Sequence, residues 1–209
     1  LALLCVGCST LASMCVSFEP AKTGGLSDEF DTQTLPAKWR PVNAKTFTTT
    51  MTKGRLTMTP KAKVVWWKSD SGPLLYQLVK GNFRVSARVF ARKASAPDKS
   101  PDEGYQFGGI IARSPASDGS NAKESYVFAV TGYRGKYLCV ENKTTRDDVS
   151  YVDGPKWPKS DAELRICRLN AKVHLYRRPI GGKTWEKTIT YKRPDLPEAL
   201  QVGPIVYAL

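Results

Sequence analysis

Residues 163–185, ELRICRLNAKVHLYRRPIGGKTW, constrain the fold more tightly than any other part of the chain. Leu164 and Ile166 alternate with Arg165 and Cys167, and Val173 and Leu175 alternate with His174 and Tyr176. Asn170-Ala171 separates these two runs, and Gly181-Gly182 separates the second from a third that Trp185 opens. A period of two broken by Asn and Gly marks strands joined by tight turns, and no helical period fits.

The same pattern extends in both directions. Residues 47–51 and 55–59 flank Lys53-Gly54 as a hairpin, and 64–67 is a short apolar strand. Residues 74–78 follow a Gly-Pro turn. In 82–90, Phe83, Val85, Ala87 and Val89 take one face and Arg84, Ser86 and Arg88 the other. Residues 105–113 form a strand with paired glycines, and 125–131 and 136–142 form a hairpin across residues 132–135. Residues 149–152, 185–191 and 201–208 complete about a dozen short strands, which predict an all-β, two-sheet antiparallel sandwich. Phe83, Val85, Val89, Ile110, Leu138, Val140, Leu164 and Ile166 are the expected core.

The first residues are a separate object. Residues 1–18 carry no charge and are rich in Leu, Ala, Cys and Val, the composition of an export signal. Leu4-Cys5-Val6-Gly7-Cys8-Ser9 resembles a bacterial lipobox in which Cys8 is lipidated, although Cys5 stands where Leu is usual; a plain secretory signal is the other reading. Expected boundaries are therefore an export segment at 1–19, a linker at 20–27 and one folded domain at 28–209. The expected location is secreted or cell-envelope. A formal net charge of +13 favours acidic partners or simply a soluble basic surface.

Phe30-Asp31 before a Trp, Gly81-Asn82-Phe83 and Gly109-Ile110-Ile111-Ala112-Arg113 recur in this order in a known group, as do Leu164-Arg165-Ile166, Tyr176, Gly182-Lys183-Thr184-Trp185 and Val202-Gly203. The chain, over residues 28–208, resembles the concanavalin A-like lectin/glucanase jelly rolls. It is most similar to laminin G-like domains and to the sandwich domains at the C-terminus of bacterial β-xylosidases. The resemblance implies a final strand beside the first, and leaves open whether the chain up to Leu209 contains it. Function is not implied, since the fold hosts lectins, hydrolases and adhesion modules.

Glucanases of this superfamily carry Glu-x-Asp-x-x-Glu on one strand, which sets two carboxyls on one face for nucleophile and acid. Here Glu29-Phe30-Asp31 is followed by Thr34, so it reads as a polar edge strand. His174, the one histidine, sits on a hairpin strand, and Cys139 and Cys167 lack close partners, so neither a triad nor a zinc site is expected. The laminin G-like resemblance implies calcium at loop acids such as Asp118 and Asp153, but no loop has the acid density calcium prefers, and no cofactor is expected.

A binding surface remains. Core-facing parity leaves Arg84, Arg88, Ile111, Arg113, Tyr137, Arg165 and His174 on opposite faces. On one shared sheet they would make a cationic surface for a uronic-acid polymer, with Arg88, Arg113 and Arg165 pairing carboxylates and Tyr137 stacking a ring. The competing reading is that the arginines pair with nearby acids. Trp157 and Tyr105 would be rim contacts if that face is not the site. Trp39 and Trp185 read as core or hairpin-closing residues, and one of Trp66-Trp67 points inward. Cys139 and Cys167 fall on one sheet face, as a cross-strand disulfide or as two independent buried thiols. The leading reading is an exported, non-catalytic carbohydrate-binding or adhesion domain. The alternatives are a glycoside hydrolase or lyase, and a structural envelope module. The expected partner is carbohydrate, with no nucleic acid, and with the membrane reached only through the lipid anchor. Oligomeric state is left open.

Overall fold

The structure, a computed structural model, describes residues 25–52, 54–115 and 122–209. The expected export segment with Cys8, part of the 20–27 linker and the calcium candidate Asp118 lie outside these residues. Strands β1 to β13 are Arg40–Val42, Phe47–Met51, Leu56–Pro60, Leu74–Lys80, Phe83–Phe90, Tyr105–Arg113, Tyr126–Arg134, Leu138–Arg146, Val149–Asp153, Asp161–Leu169, Lys172–Arg178, Glu186–Lys192 and Ala199–Ala208, with one short 3-10 turn at Ala44–Thr46. A seven-stranded sheet in the order β1-β4-β13-β6-β7-β8-β9 packs on a four-stranded sheet, β12-β11-β10-β5, and β2-β3 stand apart as a hairpin. All pairings between named strands are antiparallel. The expected two-sheet β-sandwich is the observed fold.

Between the sheets lies one apolar core. Ile110, Val127, Ala129, Val140, Leu164, Ile166, Leu175 and Leu200 are buried in it, and Phe83, Val85, Ala87 and Val89 pack on it from β5. Leu138 is only partly buried and stands outside this core.

A second core covers the other face of the larger sheet. Trp66, Phe107, Ile111, Tyr126, Phe128, Val130, Cys139, Ile205 and Tyr207 form it. Residues 126–130 of β7 are all fully buried, because Val127 and Ala129 face one core and Tyr126, Phe128 and Val130 the other. A strand covered on both sides reads as a continuous apolar run rather than an alternation. The cover is supplied by residues 61–73, which connect β3 to β4. Trp66 in this strap is fully buried and meets the Tyr126 ring edge-on at 5.4 Å. This segment is not the expected strand: Val64 makes a single bridge to Ala208, and Trp67 bridges only Asp70. Trp66 is buried and Trp67 is 37% exposed, so the expected in-and-out pair holds without the strand.

One further expectation changes. The acidic run at 28–31 is not an edge strand. The Asp28 carboxylate accepts the Trp39 indole N–H at 2.8 Å and the Phe30 N–H at 2.8 Å, so the segment turns back and stacks Phe30 on Trp39. β13, the last strand described, sits between β4 and β6, and β4 separates it from β1.

Candidate functional site

The two sheets divide the residues expected on one cationic face. Arg84, Arg88, Arg165 and His174 belong to the four-stranded sheet; Ile111, Arg113 and Tyr137 belong to, or adjoin, the seven-stranded one. The premise of one shared sheet is therefore corrected. The same division separates Cys139 on β8 from Cys167 on β10, and no disulfide joins them.

On the outer face of the smaller sheet the cations do converge. Register sets Arg165 beside Ser86 and Tyr176, sets Cys167 between Arg84 and His174, and sets Glu163 between Arg88 and Arg178. The Arg165 Nε donates to Ser86 Oγ at 2.9 Å. Trp185 closes the β11–β12 hairpin on this face, with the Arg165 guanidinium 3.8 Å and the Arg178 guanidinium 4.3 Å from its ring centroid. A flat cation lying on an aromatic ring is held in orientation by the ring quadrupole. Lys172 and Lys187 add to the positive charge from the neighbouring strands.

Glu163 is the acid beneath these arginines, and it is buried. Its carboxylate accepts from Arg178 Nε at 2.6 Å and from the Gly181 N–H at 3.1 Å, with Arg88 Nε at 3.3 Å. Burial opposes its ionisation. The Gly181 and Arg178 hydrogen bonds and the charges of Arg178 and Arg88 outweigh burial and hold the carboxyl below its ordinary value. Arg178 is thereby committed to Glu163, whereas the Arg88 side chain stays 70% exposed. Arg84 is exposed and makes no ion pair among the described residues. His174 shares a 2.8 Å hydrogen bond with Thr190 Oγ1, and burial together with Lys187 and Lys172 lowers its pKa, so it is neutral at pH 7.

Arg113 is not on a surface. It is 3% exposed, clamps Glu124 with Nε at 2.7 Å and with its Nη2, and donates Nη1 to Gln201 at 2.6 Å. Sequence parity placed it correctly away from the inter-sheet core, but that face of β6 is covered rather than solvated. The signal was present in the apolar run at 126–130 of the neighbouring strand.

The rim residues fall together in part. Tyr137 and Trp157 line one shallow depression of about 490 Å³ with Lys156. Trp157 donates its indole N–H to the Asp161 carbonyl at 3.0 Å, packs on the inter-sheet core and carries Arg177 on its ring at 4.7 Å, a structural set of contacts. The Tyr137 hydroxyl donates to the Gly154 carbonyl at 3.4 Å. Tyr105 is 44% exposed at the start of β6, beside the turn at Gly135.

Beneath the strap lies a polar group that sequence reading did not single out. Lys143 Nζ donates to the Trp66 carbonyl at 2.8 Å, lies 3.5 Å from Glu141 and sits 4.8 to 5.7 Å from the Phe128, Trp67 and Tyr207 ring centroids. Tyr207 Oη donates to Glu141 at 2.9 Å. Burial lowers the Lys143 pKa against the opposing pull of Glu141. Every member is a partner of another, so the group braces the strap against the sheet rather than facing a groove. Among the described residues, no group of three or more His, Cys, Asp or Glu is placed to hold a metal ion.

No family model and no curated protein matches the chain. Solved structures do. A functionally unknown protein from Saccharomyces cerevisiae matches with a TM-score of 0.66 at 18% identity, over 82% of this chain and 87% of that one. A GH43 protein from Bacillus licheniformis matches with a TM-score of 0.64 at 13% identity, over 86% of this chain. A xylan β-1,4-xylosidase from Bacillus halodurans matches with a TM-score of 0.61 at 13% identity, over 87%. This chain covers 35% of each of those two Bacillus chains. These likenesses establish a shared sandwich fold.

Proposed function

We propose that the chain is a carbohydrate-binding sandwich module that takes an acidic polysaccharide on the outer face of its four-stranded sheet. The observation that carries this reading is the row of arginines on this face: Arg84 and Arg88 along β5, with Arg88 3.3 Å from the buried Glu163, and Arg165 on β10 oriented by the Trp185 ring. Like charges on neighbouring strands repel, so such a group costs stability unless an anion meets it. Arg84 and Arg88 lie four residues apart on β5, a span of about 13 Å. A polyanion running along this strand would meet both, and a planar guanidinium pairs a carboxylate with two parallel hydrogen bonds. The Bacillus neighbours support a role beside carbohydrate, since one of them is named as a xylan β-1,4-xylosidase.

The test is retention of the wild type and of an Arg84→Ala, Arg88→Ala double variant on polygalacturonate and on neutral xylan columns at moderate salt. Retention of the wild type on polygalacturonate, lost in the variant, is the expected result. Equal retention of both proteins removes this face as the site, and preference for xylan removes the acidic ligand.

A further inference from the structure

The sheets have unequal widths, and the excess leaves a ledge. β12 is the edge of the smaller sheet and packs over β8, and β9 extends beyond it as the edge of the larger sheet. Tyr151 on β9 pairs with Thr144, which pairs with core-facing Val127, so its side chain has inward parity. It is nevertheless 67% exposed, the most open of the large apolar and aromatic side chains described. An open cleft of about 490 Å³ lies here, with Tyr151 and Val149 on one wall and Tyr191 and Lys192 on the other.

The floor of this cleft is charged and fixed. Arg193 is 2% exposed and grips Asp195 through Nε at 3.0 Å and Nη2 at 2.7 Å, while Nη1 donates to the Tyr126 carbonyl and to Thr144 Oγ1. Arg146 takes the same Asp195 from the other side at 2.9 Å and donates to the Lys192 carbonyl at 3.0 Å. Burial opposes ionisation of Asp195, but Arg193 and Arg146 hold its carboxyl below the ordinary value, so it carries a full negative charge at neutral pH. Two guanidiniums on one carboxylate leave one positive charge in excess. Exposed Lys192 adds a second and Asp147, also on the cleft, removes one.

We propose that this cleft is a second subsite for the same ligand class, in which one acidic sugar ring lies on Tyr151 and its carboxylate meets Arg146 and Lys192. The inference rests on the acidic-glycan reading above and extends it. An aromatic face packs the C–H side of a sugar, and the cations at one end of the ring select a charged over a neutral residue. Lys192 pairs with Lys172 across β11–β12, so it joins the cleft to the basic outer face. A polymer crossing the edge at β12 would engage both sites in one chain and gain the advantage of linked binding.

The experiment is a titration of isotopically labelled protein with tetragalacturonate, followed through backbone amide signals, beside xylotetraose as the neutral probe. Tetragalacturonate is expected to shift signals of residues 149–152 and 191–192, and Tyr151→Ala is expected to weaken binding about tenfold. Tyr151 is exposed enough that this variant keeps the fold, which an unchanged circular dichroism spectrum checks. Unchanged affinity in Tyr151→Ala, with affinity lost in the Arg84→Ala, Arg88→Ala variant, overturns the subsite and leaves the outer face standing. Equal shifts with xylotetraose overturn the role of the cations. Absence of shifts at both places overturns the acidic-glycan reading and the subsite with it.

Discussion

Arg113 and Glu124 face each other where water does not reach, with side chains 3% and 9% exposed. Removing one partner of such a pair strands the other as an uncompensated charge. Arg113→Ala is expected to destabilise the fold by about 3–5 kcal/mol in urea denaturation. Retention on an acidic polysaccharide should stay as in the wild type at temperatures where the variant is folded. Cys139 gives a second prediction. Burial, followed by the charge of Glu141, pushes its thiol from 9.0 up to about 12. The folded chain therefore keeps the neutral thiol at pH values where the unfolded chain has lost the proton. Stability from this group is complete below pH 9.0 and is lost as the pH rises towards about 12. Tyr126, raised from 10.0 to about 12 by burial, acts in the same direction. The urea midpoint should fall across this alkaline interval, and less steeply in Cys139→Ala. In the native protein at neutral pH, Cys139 should not react with a thiol reagent.

β13 passes between two strands with little room. A Cβ on Gly203 would fall inside contact distance of the Leu75 carbonyl oxygen and 3.0 Å from a Trp39 ring carbon. Gly203→Ala is expected to cost at least about 1–3 kcal/mol, read as a lower melting temperature. This explains physically why a glycine follows Val202 in the motif. The strap gives another test. Trp66 is fully buried against Tyr126, and Gly72 leaves space for its indole. Trp66→Ala should cost about 3–5 kcal/mol and free Lys143 from its cover, which faster amide exchange in residues 61–73 would report. Strands were legible where one face is wet. In β5, Arg84, Ser86 and Arg88 marked the solvent side, and the residues between them pack on the core. The strap was not legible, because a short apolar run at 64–67 reads the same whether it pairs as a strand or lies across a sheet. Sheet membership was hidden for a related reason. Alternation fixes the face of Arg113 and of Arg165 within a strand, but nothing local says that β6 and β10 lie in different layers.

At the scale of the whole molecule, the net charge of +13 sets how strongly an acidic polymer is drawn in, and salt sets over what distance. The field reaches about 10 Å at 0.1 M salt and about 3 Å at 1 M, so retention on polygalacturonate should decline steeply between these concentrations. Retention that persists at 1 M would point to the stacking and paired hydrogen bonds of close contact. The place of β13 has a consequence of another kind, for how the protein comes off the ribosome. β4 and β6 are made early, yet neither pairs with the other: residues 199–208 stand between them. While the chain is being synthesised, the larger sheet exists only as two unjoined pieces, β1-β4 and β6-β7-β8-β9, each with a raw edge. Sandwich closure must wait until residues 199–208 have emerged to join the two pieces. A nascent chain stalled before Ala199 should be digested by a protease at the rate of an unfolded polypeptide. One released with residues 199–208 should become resistant in a single step.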